Sequence, residues 1–189
     1  MNSKPWQQTI ILPLALIGMM DLTRFDHFGS AFSLPDASLA VFFFAGLSSA
    51  PLWFFGLLLL EAGFIDYVAV AHFNVSDFCI SSAYLFLIPA YGIMWFAGRY
   101  AKTYTELHFI DSLKAFGVAT ISTTVSFLIS NGSFYLLSGS FGTLSLNSYS
   151  DQLIHYYPPY LASSLIYIVI GLALVKLWKT IELNSIVES

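Results

Sequence analysis

The stretch Ala37-Ser-Leu-Ala-Val-Phe-Phe-Phe-Ala-Gly-Leu-Ser48-Ser49-Ala50-Pro51-Leu-Trp-Phe-Phe-Gly-Leu-Leu-Leu-Leu-Glu61-Ala-Gly-Phe-Ile-Asp66-Tyr-Val-Ala-Val-Ala71 decides how the chain is to be read. Ser48-Ser49-Ala50-Pro51 is a turn signal, because proline cannot continue a helix and restricts the residue before it. The stretch therefore divides into a short apolar helix, Ala37 to Ser49, and a longer one, Pro51 to Ala71. The second has the roughly 20 apolar residues needed to cross a bilayer. Two acids, Glu61 and Asp66, lie inside it. Ionisable groups in hydrocarbon are costly, so by default they mark a polar cavity or pathway.

The same character extends in both directions. Of the 189 residues, 57% are hydrophobic and only 10% charged, with a mean hydropathy of +0.75. Those charges are too few to solvate a globule of this size. An all-α membrane protein of one domain, residues 1–189, is predicted. Six transmembrane helices are expected at about Trp6 to Leu22, Ala37 to Ser49, Pro51 to Ala71, Ile80 to Tyr100, Phe109 to Ile129 and Tyr156 to Lys179. No small-x-small cleavage pattern follows Ile10 to Met20, so the first run reads as a retained span. The net charge of -4, with Lys and Arg scattered singly, excludes a nucleic-acid binder.

An even number of crossings puts both termini on one side. Lys4, Arg99, Lys102, Lys176 and Lys179 fall on that side, with Lys114 just inside the fifth span; Arg24 alone lies opposite. By the positive-inside rule the termini are cytoplasmic. Thr23 to Asp36, His72 to Cys79 and Ser130 to His155 then face outward. The third segment, rich in Gly, Ser and aromatics, reads as a lid or binding loop. Asp36 is expected to cap the second helix and Ser76 or Asp77 the fourth.

Cys79 is the single cysteine. It is open to three readings: inert packing, an intermolecular partner, or a soft ligand and nucleophile. A cap at Asp77 would put it in the first turn of the fourth helix, where the helix dipole favours a thiolate; apolar surroundings act the other way. Glu61 and Asp66 stand about 140° apart around a regular helix, so a carboxylate pair is not expected. A hydrogen bond to a neighbouring helix is the plain expectation for Glu61. Asp21-Leu-Thr-Arg24-Phe-Asp26-His27-Phe28-Gly29 reads either as a solvated loop with an internal ion pair or as the seat of a ligand, His27. His72, His108 and His155 read as structural, and Tyr84, Tyr91 and Trp95 as aromatic packing. There is no P-loop and hence no ATP site, no haem-attachment motif, no paired-histidine zinc motif and no serine elbow.

A chain of this length with six spans, cytoplasmic termini, Leu34-Pro35-Asp36-Ala37 opening the second helix and outward loops resembles the S components of energy-coupling factor (ECF) vitamin transporters. Arg24-Phe-Asp26-His27-Phe28, Asp66, Cys79 and Tyr84 narrow the resemblance to the BtuM-type solitary, cobalamin-specific members of the bacterial inner membrane. The resemblance implies cobalamin, or a related corrinoid, as the substrate. It further implies that the Cys79 thiolate is an axial cobalt ligand, with reductive loss of the upper ligand (decyanation) as an accessory reaction. A thiolate suits this role as a soft, strongly donating ligand. His27, Asp66 and Tyr84 would line the corrinoid pocket. The family's A-x-x-x-A docking pattern on the first helix is missing, since Met19 follows Ala15 and Gly18 is out of register. That implies no dedicated energising module, with a borrowed one left open. The alternatives are a transition-metal ion transporter using Cys79, His27, His72 and Asp66, a membrane-bound corrinoid-processing enzyme, and an assembly subunit in which Cys79 is packing.

Overall fold

The computed structural model describes residues 5–24, 34–73, 81–104, 108–141 and 145–187. Among the described residues the chain is helical, with no strand. Its helices are α1 (Pro5–Thr23), α2 (Ser38–Leu47), α3 (Leu52–Phe73), α4 (Leu87–Ala101), α5 (Phe109–Leu137) and α6 (Leu146–Val187). Three of them, α3, α5 and α6, are apolar and long enough to cross a membrane.

The short helix α2 is the hub. All of its residues except Phe44 are buried, as expected of a helix that is apolar all round. At 1.5 Å per residue it is about 15 Å long, roughly half the hydrocarbon thickness. Glycines let its neighbours reach it. A Cβ on Gly46 would lie 1.9 Å from the Trp95 carbonyl oxygen, and one on Gly98 would lie 1.9 Å from the Phe43 carbonyl oxygen. The backbones of α2 and α4 are therefore in direct contact. On the α6 side, a Cβ on Gly171 would strike the Phe44 ring.

Helix α3 buries a single stripe, Phe54, Leu58, Ala62, Ile65, Asp66 and Ala69, at the spacing of one helical face. Exposed Leu57, Leu60, Phe64 and Tyr67 cover the opposite face. That distribution suits a helix against lipid on one side.

Two sequence expectations need correcting. The fourth helical segment begins later than expected, as a 3-10 turn over Ser82–Phe86 that leads into α4. Its N-cap is Ser81, whose extended backbone leaves the hydroxyl free to accept the Ala83 N–H. Ser76, Asp77 and Cys79, on which the expected cap and the thiolate position rest, all lie outside the described residues.

The second correction concerns the lid. Most of Ser130 to His155 is helix, because α5 runs to Leu137 and α6 starts at Leu146. Serines read as loop formers instead return their hydroxyls to their own helix, Ser130 to the Phe127 carbonyl and Ser133 to the Ser130 carbonyl. Pro158 and Pro159 sit inside α6. They leave the carbonyls of Ile154 and His155, both surface residues, without helical N–H partners. The short connection is clasped by Tyr135, whose hydroxyl donates to the Ser145 carbonyl and accepts the Ser145 N–H. Farther along, Thr124 and Tyr157 share a hydrogen bond, and Phe127 packs on the Tyr157 and Tyr160 rings.

The bundle has two chemically distinct ends. At one, Arg99 donates to the Ala50 carbonyl, Lys102 to the Ser49 hydroxyl, and Lys176 to the His108 carbonyl and Ser112 hydroxyl. At the other, where α1 ends and α2 begins, Arg24 stands with a set of acids and tyrosines.

Candidate functional site

Arg24 follows directly on the last residue of α1 and is only 2% exposed. Its Nη2 donates to Asp66 Oδ2 at 2.7 Å and its Nε to Asp66 Oδ1 at 2.9 Å, a two-pronged pair that matches the planar guanidinium to the carboxylate. The same Nε also reaches the Ala62 carbonyl at 3.3 Å, one helical turn before Asp66 on α3. Nη1 turns toward α2 and α4, donating to Ser38 Oγ at 2.8 Å and Tyr91 Oη at 2.7 Å, with Asp36 Oδ2 at 3.4 Å. One guanidinium thus ties the end of α1 to three other helices.

Local sequence prepares each partner. Asp36 lies one residue before the N-cap position of α2, and its Oδ1 accepts both the N–H and the hydroxyl of Ser38. The expected capping role is met from that offset position. Thr23 accepts the Ala37 N–H while donating back to the Met19 carbonyl, which joins α1 to the start of α2. Tyr91 stacks on Phe42, with ring centroids 4.3 Å apart. Tyr84, on the 3-10 turn before α4, donates to Asp66 Oδ2 at 2.6 Å. Asp66 therefore receives Arg24 and Tyr84 together. Taking such charges out of water costs several kcal/mol per ion, which only this density of hydrogen bonds offsets.

Tyr84 and Tyr91 also line a cavity of about 680 Å³ between α3 and the fourth helical segment. Trp53, Leu57, Leu60, Leu85 and Ile88 are among its other lining residues, and its surface is almost wholly apolar. Phe55 of α3 packs edge-on against Trp95 of α4, with ring centroids 5.3 Å apart. The cavity falls in the size range of small-molecule sites.

No family model matches the chain, and no curated protein matches it in sequence.

Of the four residues assigned to a corrinoid pocket, Asp66 and Tyr84 are brought together, whereas Cys79 and His27 lie outside the described residues. Asp26 does as well. The reading of Asp21 to Gly29 as a solvated loop fails for Arg24, which is buried against Asp66. The sequence signal for that pair was present, since Arg24 is the one cation expected opposite the basic end and Asp66 an acid embedded in a span. Ser38 and Tyr91 were not singled out as ligands of a charge; nothing in a serine or in a tyrosine within an apolar helix announces that role. Glu61 also departs from expectation. Both of its carboxylate oxygens are buried, and neither has a hydrogen-bond partner among the described residues. His72 and His155 are exposed, and His155 packs edge-on against Tyr156. Among the described residues no three of His, Cys, Asp and Glu gather as a metal site would require.

Proposed function

We propose that the chain is a six-span protein of the bacterial inner membrane that binds a corrinoid such as cobalamin on its outer side and passes it inward. The observation that carries this reading is the 2.6 Å hydrogen bond between Tyr84 and Asp66 beside an apolar cavity of about 680 Å³. These two residues are 18 positions apart, and the resemblance to BtuM-type S components names both as pocket residues. Cytoplasmic termini are supported by the separation of charges, with Arg99, Lys102 and Lys176 at the bundle end away from Arg24.

In this reading Cys79, two residues before the Ser81 cap, supplies its thiolate to the cobalt. Tyr84 and Asp66 position the macrocycle through a rigid hydrogen-bonded pair backed by Arg24. Asp36 and Ser38 hold Arg24 from behind. Loss of an upper cyanide is a stoichiometric consequence of thiolate ligation under reducing conditions. Turnover beyond one equivalent would instead make the protein a corrinoid-processing enzyme.

The test is the absorption spectrum of the purified protein loaded with cyanocobalamin. A cobalt spectrum that changes in Cys79→Ala, and weaker binding in Tyr84→Phe, are expected. Failure to bind any corrinoid would overturn the function, and a Cys79→Ala protein with unchanged affinity and spectrum would overturn the thiolate ligand.

A further inference from the structure

The mechanism above leaves one embedded acid unused. Glu61 sits at the middle of α3, with both carboxylate oxygens buried and without a hydrogen-bond partner among the described residues. A buried carboxylate left in that condition is strongly disfavoured as an anion and is accommodated as the neutral acid. Its charged surroundings are mixed: Asp21, exposed on α1, and Arg24 act on it in opposite senses. Helix α2 brings no titratable side chain, with Asp36 at its entry the nearest, and the fourth helical segment brings only Tyr84 and Tyr91.

Arg24 is already engaged by other acceptors. Its Nε and Nη2 are directed at Asp66 and the Ala62 carbonyl, and its Nη1 at Ser38, Tyr91 and Asp36. One guanidinium therefore already faces Asp36 and Asp66, and an ionised Glu61 would add a third negative charge in a medium of low dielectric.

We propose that Glu61 is a membrane-embedded proton-binding site that exchanges with water and couples proton movement to the passage of cargo. The exchange is a simple ionisation. The Glu61 carboxylic acid gives its proton to water and recovers it from water. A carboxylate at position 61 draws on the positive charge of Arg24, so its ionisation competes with Asp66 for the same guanidinium. That competition links the protonation state of Glu61 to the contact of α1 with α3, and hence to the Tyr84 side of the cavity. The proton site stands without any corrinoid; only its coupling to cargo rests on the transport reading.

Infrared difference spectroscopy across a pH titration of the full-length protein in lipid, without corrinoid, tests the site. A protonated carboxyl band that titrates in the wild type, vanishes in Glu61→Gln and returns shifted in Glu61→Asp is expected. Identical titrations in the wild type and Glu61→Gln, with both variants eluting as folded protein, would overturn the site. Uptake of cyanocobalamin into proteoliposomes tests the coupling. An outward-acid pH gradient should accelerate uptake by the wild type but not by Glu61→Gln, with binding of cyanocobalamin retained in both. Equal acceleration in both, or none in either while binding persists, would overturn the coupling. Absence of binding together with an intact Glu61 band would count against the corrinoid reading alone.

Discussion

Helix α4 meets α2 and α3 in opposite ways. Toward α2 it presents Gly98 and receives Gly46, and the backbones touch with no side chain between them. Toward α3 it leaves a cavity of about 680 Å³, lined in part by Tyr84, which bonds Asp66. Lipid is as apolar as leucine, so burial of apolar surface gives helices in a membrane little reason to associate. One side of α4 is closed by close approach and dispersion, the other is held by charge. The closed side is a framework; the open side has room for a ligand and a group of polar residues beside it.

The contrast can be broken at its polar end first. Asp66→Ala leaves Arg24 buried with its principal counter-ion gone, and a loss of about 3–5 kcal/mol is expected for breaking a buried pair. Denaturant or thermal unfolding in detergent measures it, and a loss below about 1 kcal/mol would show that Arg24 finds water instead. Next in size is the seam. Gly98→Ala forces a Cβ against the Phe43 carbonyl, and about 1–3 kcal/mol is expected for overpacking at a site that cannot relax. Combining it with Gly46→Ala should cost less than the sum, because both disturb one crossing.

Removing one hydroxyl sharpens the comparison further. Tyr84→Phe should cost about 1–2 kcal/mol, the range for a single hydrogen bond to a charged acceptor. It should also raise the reactivity of cysteines introduced along the cavity wall at Leu57 or Leu85 toward a lipid-soluble thiol reagent, measured by labelling rate in a Cys79→Ser background. The smallest effect belongs to the apolar lining. Leu60 is 74% exposed, and Leu60→Ala should change stability by less than about 0.5 kcal/mol while altering ligand affinity if the cavity is used.

What could be foreseen followed from signals that are local in the chain. Helix class, the turn at Ser48 to Pro51 and the division of Lys and Arg between ends needed only composition and breakers. Asp66 was legible because a carboxylate in an apolar run is out of place wherever it lies. Its partner was harder, since Arg24 is 42 positions away and was read with its immediate neighbours Asp21 and Asp26. The extent of α5 and α6 was not legible: Ser130-Asn-Gly-Ser133 carries the chemistry of a loop, and only in the bundle do those hydroxyls bond back along the helix. Nor did the sequence distinguish a short crossing from a central helix at α2. Both demand uninterrupted apolarity, and only the Gly46 and Gly98 contacts make α2 the hub.

The clasp of Tyr135 on Ser145 has a consequence for biogenesis. With the two ends of their connection fixed by one hydroxyl, and Thr124, Phe127, Tyr157 and Tyr160 meeting farther along, α5 and α6 carry the contacts of a helical hairpin within a single contiguous stretch of chain. Such a hairpin can close as soon as its second arm leaves the ribosome, since no earlier segment contributes to the clasp. The last two-fifths of the protein is therefore built to enter the bilayer as a preassembled pair, docking onto α4 after its own loop is already shut.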